Sequence, residues 1–440
     1  MGANLSLLAT TASAMLLHSN LAPLRDVHNQ LMDVHDGSIV KWNGRYYMHG
    51  MSYTNCTLEY SQFPPHYCPG VFFSFGNCGF RDDHGLAIYS SENLVSWRYE
   101  GEGLPIADRP RGIYFRPKVI HDAARDEFVL WINYLPRADD YWPMDTPLAA
   151  YISTSTHIVA KAKTPNGPFV IVNTDAKLQV ANAADFALLA TPELPDGGAY
   201  IAYDAWDNGH AIRIEKLSDD LTRGSGNETH DLSPAGNEAP LLFERNGWYY
   251  LAYGHVCCFC AEGGGAVLLV ARHPLGPWKE TGVDLNPRRG KGGKCGATIP
   301  VQNNHVFQIA NGFERQYVFV ADLWRTAPDG LKSHDLQFWA PLNFDDSVEP
   351  PLPHGPLEWI DGFEIQLPIP IVDGEGASPS YAVDEVAKGK IEANAALCVD
   401  SSGIHPELAM KMVLWSMAVA FVLALMCRVC KGRRRPKVLV

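Results

Sequence analysis

The sequence predicts an all-β fold, a five-bladed β-propeller, on three observations. One phrase recurs five times along the chain: a short apolar strand, a polar turn, and a second strand carrying two or three aromatics. Most copies join their strands through Asn-Gly, Asp-Gly or Gly-Gly, residues that accept the positive φ of a tight hairpin turn. No helical period lies between copies, and intervals of roughly 50 to 80 residues are those of a repeat architecture rather than a sandwich.

The clearest copies are residues 37–50 (GSIVKWNGRYYMHG) and 239–254 (APLLFERNGWYYLAYG), each with Asn-Gly followed by paired tyrosines. Residues 117–134, 186–206 and 306–324 supply the three looser copies. A further strand region follows each hairpin, at residues 84–101, 157–173, 210–226, 266–282 and 336–345, giving three or four antiparallel strands per blade. Residues 357–367 still alternate and are expected to close or cover the ring. Tyr46, Tyr47, Tyr249 and Tyr250 are expected to pack between blades.

Composition fits one large acidic folded domain: 440 residues, 46% hydrophobic, 11% aromatic, formal charge -13, with 38 Gly and 31 Pro for turns. The negative charge disfavours polyanions, nucleic acid among them, and is compatible with neutral ligands such as sugars. No cofactor is expected.

The two ends point to a membrane. Residues 1–22 carry an apolar run of signal-peptide length, although the first six also satisfy a myristoylation pattern; the signal peptide is the favoured reading. The propeller is assigned to 33–372 and a stalk poor in aromatics to 373–407. A single C-terminal transmembrane helix is assigned to 408–427, and a basic cytosolic tail to 428–440. The cations after the span put the propeller on the lumenal or extracellular side of a single-pass membrane protein. Sequons at Asn55 and Asn227 and eight cysteines before the span suit a glycosylated, disulfide-bonded ectodomain. Cys257, Cys258 and Cys260 beside His255 lack a standard zinc spacing, so no metal site is assigned. Cys427 and Cys430 sit where palmitoylation occurs, or are inert.

A propeller gathers its ligand site where the innermost strand of each blade begins, so polar residues there are the candidates for chemistry. Asp36 precedes the blade-one strand, Asp185 the blade-three strand and Glu238 the blade-four strand; blade two offers Phe115 and Arg116, and blade five Gln302. Carboxylates converging from different blades are what an inverting glycosidase needs. One acid protonates the leaving oxygen, one base takes a proton from water on the opposite face, and a third group tunes the acid. On this logic Glu238 is the acid, Asp185 the modulator, and Asp36 or Gln302 the partner of water. Trp142, Trp206 and Trp324, near loop ends, are candidates for a sugar-stacking platform. His35, His84 and His255 are expected to be structural hydrogen-bonding residues.

At these residues the chain resembles glycoside hydrolase family 43, most closely its exo-β-1,3-galactanase-like branch. The carrying phrases are Asn237-Glu238-Ala239-Pro240 with Phe243 to Tyr250, Arg116-Pro117-Lys118-Val119, Tyr89-Ser90-Ser91 with Leu94 to Trp97, and Ala321 to Trp324 with Phe338 to Leu342. The resemblance spans residues 34–346. It implies that Glu238 is the general acid and Asp185 the pKa-modulating aspartate. Asp36 resembles the base of most of the family, and Gln302 the glutamine thought to replace it in the branch. Phe115 and Met51 stand where the branch carries acidic sugar contacts, which points to altered contacts with the glycone; Phe115, Arg116, Trp206 and Trp324 are the expected substrate-binding residues. The implied activity is hydrolysis of β-linked, galactose-containing glycans by single displacement. The competing reading is an inert propeller that binds carbohydrate as a membrane-bound receptor or adhesion module. A sucrose- or fructan-processing relative is disfavoured by Phe115.

Overall fold

The computed structural model describes residues 15–53, 84–136, 155–192, 194, 197–256, 263–289, 296–311 and 314–366. All ten cysteines, the sequon at Asn55, Trp142, and the expected stalk, span and tail from residue 373 lie outside these residues. Among the described residues no helix is long and apolar enough to cross a membrane.

Every blade is an antiparallel sheet whose strands follow chain order. Blade one is β2 (His35–Trp42), β3 (Arg45–Ser52), β4 (Gly85–Ser91) and β5 (Arg98–Glu102). Blade two is β6 (Gly112–Asp122), β7 (Glu127–Pro136), β8 (Thr156–Ala162) and β9 (Val170–Asn173). Blade three is β10 (Ala183–Ala190), β11 (Ala199–Ala205), β12 (Ala211–Leu217) and β13 (Gly224–Glu228). Blade four is β14 (Asn237–Arg245), β15 (Trp248–His255), β16 (Val267–Ala271) and β17 (Lys279–Asp284). Blade five has three strands, β18 (Gln302–Asn311), β19 (Glu314–Leu323) and β20 (Leu336–Leu342).

The five first strands β2, β6, β10, β14 and β18 contact one another in sequence, and β18 returns to β2, so they form the hub. Each recurrent phrase is therefore a hub strand and its partner. The Asn-Gly pairs take the expected left-handed backbone, with φ of 48° and 79° at Asn43-Gly44 and 53° and 75° at Asn246-Gly247.

Five apolar clusters fill the five spaces between neighbouring blades. Tyr46 and Met48 meet Phe307 and Trp339 across the seam of blades one and five, and Phe243 and Tyr250 meet Phe319 and Phe338 between four and five. Leu86 meets Val119 between one and two, Trp131 meets Phe186 between two and three, and Tyr200 meets Leu251 between three and four. Ring by ring, such burial stabilises by about 1.5–3 kcal/mol, which explains the aromatic second strand of the repeat.

Two short ribbons complete the ring: β1 (Met15–Ser19) pairs with β23 (Gly362–Gln366), and β21 (Phe344–Asp345) with β22 (Leu352–Pro353). The first of these includes part of the segment 1–22 read as a leader. His18 stacks on Trp339 at 4.2 Å, and buried Asn20 donates to the carbonyls of Trp339 and Ile360 while accepting from the Trp339 amide. Removal of residues 15–22 would strip these contacts from blade five. An apolar run of this length satisfies the pattern of a leader core and of a covering strand alike.

Candidate active site

Hub strands are bent where the chemistry is expected. All five carry a register shift: His35/Ser38 in β2, Phe115/Lys118 in β6, Ala183/Phe186 in β10, Glu238/Leu241 in β14 and Asn303/His305 in β18. A bulge adds one residue to a strand and re-aims its side chains, here toward the axis. Asp36, Arg116 and Ala239 reach φ of 61°, 54° and 51°, a region that non-glycine residues rarely occupy, so each is held there by its surroundings. Gly37 is obligatory for a different reason: a Cβ on it would lie 1.4 Å from the His49 carbonyl oxygen of β3.

Four of the expected residues meet at one point. Gln302 Nε2 lies 2.9 Å from Glu238 Oε1 and 3.4 Å from Asp185 Oδ2, joining blades five, four and three. Arg116 from blade two completes the group, its Nε 2.8 Å from Asp185 Oδ1 and its Nη1 donating to the Asn303 carbonyl at 3.1 Å. Glu238 and Arg116 are buried. Burial pulls Arg116 down, but Asp185, Asp36, Glu238 and Asp322 outweigh it and raise the pKa, so the guanidinium is a fixed positive charge.

Asp36 stands on the blade-one side of the same hub under a cover of rings. Its Oδ2 accepts from the Tyr53 hydroxyl at 3.2 Å, and its backbone amide donates to Asp322 Oδ2 at 3.3 Å. Only 2% of Asp36 is exposed. Burial pushes its carboxyl up to about 6; Arg116 opposes that rise, Asp322 and Asp185 add to it, and Lys332 opposes it. Tyr53 itself lies against His84 at 4.5 Å and among Met51, Tyr114 and Trp324.

Two expected substrate contacts have other duties. Trp324 is fully buried, with Lys332 Nζ 3.4 Å above its ring and its indole N–H donating to Gln302 Oε1 at 2.9 Å. It fixes which way the Gln302 amide faces and offers no open stacking surface. Arg116, equally buried, pairs with Asp185 through its Nε. Phe115 is half-buried against the apolar cluster containing Met51, so the two positions expected to be acidic in the branch join one greasy wall. Trp206 is half-buried, opens a short 3-10 turn (Trp206–Asn208), and lies 4.6 Å from the His210 ring. The backbone of Gly209 and His210 bonds to Gly236 and Asn237, which sets that turn beside the start of β14.

Sequence reasoning missed a second polar ring. Asp322 of β19 pairs with Gln302, and Asp204 of β11 lies opposite the blade-three bulge, so second strands also end in carboxylates at the hub. The parallel between Asp204-Ala205-Trp206 and Asp322-Leu323-Trp324 was the available signal. Burial pushes Asp204 up to about 7 against His210, whose Nδ1 lies 2.9 Å from Asp204 Oδ2. His35, as expected, is structural: its Nε2 lies 3.2 Å from the Ser333 carbonyl and its Nδ1 3.5 Å from Asp322 Oδ1. Burial pulls Lys332 down to about 7 against the pull of Asp335, Asp36 and Asp322.

The family model for glycosyl hydrolases family 43 matches residues 31–289. A family 43 β-1,3-galactosidase superposes with a TM-score of 0.58 at 20% identity, covering 80% of this chain and 64% of that one. The exo-β-1,3-galactanase of Clostridium thermocellum gives 0.57 at 22% identity, with 77% and 65% covered. That of Phanerochaete chrysosporium, solved with galactose, gives 0.58 at 18% identity, with 80% and 69% covered. The chain thus spans slightly less than two thirds of the first two structures. At these identities the likeness establishes the fold. No curated protein matches the chain.

Proposed function

This chain belongs to glycosyl hydrolases family 43, and we propose that it is a glycosidase that cleaves β-linked, galactose-containing glycans with inversion. The convergence of Glu238, Asp185 and Gln302 from three blades on one point carries this reading. Glu238 gives its proton to the glycosidic oxygen as the bond to the anomeric carbon breaks. Water attacks that carbon from the opposite face and yields its proton to Asp36. Asp185, paired with Arg116 at 2.8 Å, stands beside the acid.

Contact between Gln302 and Glu238 favours Asp36 as base. In an inverting pair the two groups stand about 6.5–9.5 Å apart with sugar and water between them, whereas Gln302 lies 2.9 Å from Glu238. A carboxyl near 6 also suits a base working at neutral pH. The galactose preference rests on the named activities of similar structures. Tethering to a membrane, with the propeller lumenal or extracellular, rests on the apolar run at 412–427 and its trailing cations.

Sugar release from β-1,3-galactan and arabinogalactan, compared between wild type and Glu238→Gln, tests the proposal. Wild type should release galactose as the inverted anomer, and the variant should lose about 10³-fold in kcat while still binding oligosaccharide. If both proteins bind oligosaccharide and neither releases sugar, the propeller is a carbohydrate-binding module instead.

A further inference from the structure

The seam between blades one and five is crossed by a buried cation from blade two. Lys118 Nζ lies 3.1 Å from the Asp36 carbonyl, 2.5 Å from the Gly37 carbonyl and 2.9 Å from the Asn304 carbonyl, and it also donates to Asn304 Oδ1. An ammonium has three donors for these four oxygens, so all three are used and one is shared between two acceptors. Burial, with Arg116 beside it, pulls Lys118 down to about 7 against the pull of Asp36, Asp322 and Asp185; a neutral amine would turn a lone pair toward one of these oxygens, so the cage geometry favours the charged form.

These oxygens are not arbitrary. Asp36 and Gly37 sit inside the β2 register shift and Asn304 inside that of β18, where regular ladder bonds are interrupted. Buried carbonyls left without a donor there would each destabilise by about 1–3 kcal/mol. Lys118 therefore permits both bulges at once. It also meets the strained residue, since Asp36 sits at φ 61° and its carboxyl direction follows from that conformation.

We propose that Lys118 is a positioning residue for hydrolysis: its ammonium clamps the blade-one and blade-five bulges and thereby aims Asp36. This rests on Asp36 acting as the base. Lys118→Ala should open a cage that an ammonium ion can enter and tetramethylammonium cannot. In the full-length chain we expect kcat to fall about 100-fold with KM within about threefold, and saturating ammonium chloride to restore at least about tenfold of it. Sodium and tetramethylammonium chlorides at equal ionic strength should restore nothing. Unchanged kcat, or a loss in a natively folded variant that ammonium does not relieve, overturns the proposal.

Asn304→Leu removes one cage oxygen and keeps the lysine, which guards against a Lys118→Ala protein that does not fold. Its kcat should fall about fivefold at constant KM, and an unchanged kcat overturns the proposal equally. Should wild type prove inactive, the glycosidase mechanism fails separately. The cage is then read by melting temperature, which ammonium should raise saturably in Lys118→Ala and not in wild type; no such shift would mean no cation cage.

Discussion

Asp185 and Asp36 both lie inside the bulges at the hub ends of blades three and one, yet their surroundings differ in kind. Asp185 has a guanidinium at 2.8 Å and an amide at 3.4 Å. Asp36 has a phenol at 3.2 Å, a second carboxylate bonded to its own amide, and a wall of Met51, Tyr114 and Trp324 around the phenol. One carboxylate is compensated by direct pairing; the other is burdened by burial and like charge, and its pKa climbs to about 6. A hub with fivefold repetition can thus hold an ion-paired side and a titrating side a few residues apart in register. The division suits an enzyme whose acid needs a fixed neighbouring charge and whose base must accept a proton near neutrality.

The strongest break in that comparison is Asp36→Asn. If the titrating side supplies the base, kcat should fall about 10³-fold with little change in KM. Gln302→Leu, on the paired side, should then cost less, because Asp185 keeps its partner Arg116. Steady-state kinetics of both variants on one galactan oligosaccharide measure the ranking, and the reverse order would move the base to Gln302.

A second expectation concerns pH. With Asp36 pushed up to about 6, the free enzyme loses its ionised base as pH falls through that value. A plot of kcat/KM should drop about tenfold per unit below it. The same shift acts on stability with a definite sign. Between the ordinary value of 3.8 and about 6 the folded state holds more protons than the unfolded one, so stability declines as pH rises through that window. Asp36→Asn should remove this decline, visible as a melting temperature less dependent on pH from 4 to 7. A profile flat through 6 in wild type would show that the buried carboxyl does not control turnover.

The propeller was legible because each blade repeats its own evidence: positive-φ turn residues and an aromatic strand that buries between neighbours. The position of the hub residues follows from the same repeat, which is why Glu238, Asp185 and Gln302 are legible in the sequence. What could not be read was which residues satisfy one another. Trp324 and Arg116 look like ligand contacts in a sequence, since both residue types serve that role; only burial and partner distances assign them to Gln302 and Asp185. The bulges escaped because a strand with one extra residue keeps its apolar composition. Asp322 and Lys332 escaped because their charge pointed to the surface, whereas the hub encloses both with partners.

Tyr53 offers the finest adjustment of the contrast between the two carboxylates. Its hydroxyl donates to Asp36 Oδ2 at 3.2 Å, and a donor of this kind stabilises the ionised carboxylate over the acid. Tyr53→Phe keeps the ring against His84 and Trp324 and removes that donor. The Asp36 carboxyl should then titrate higher, and the acidic limb of kcat/KM should move toward alkaline pH by about half a unit to one unit. Turnover on the plateau should change by less than about threefold, since the base and its backbone clamp remain. A limb that stays in place would mean the hydroxyl contributes nothing to the charged form, and that burial alone sets the titrating side apart from the paired one.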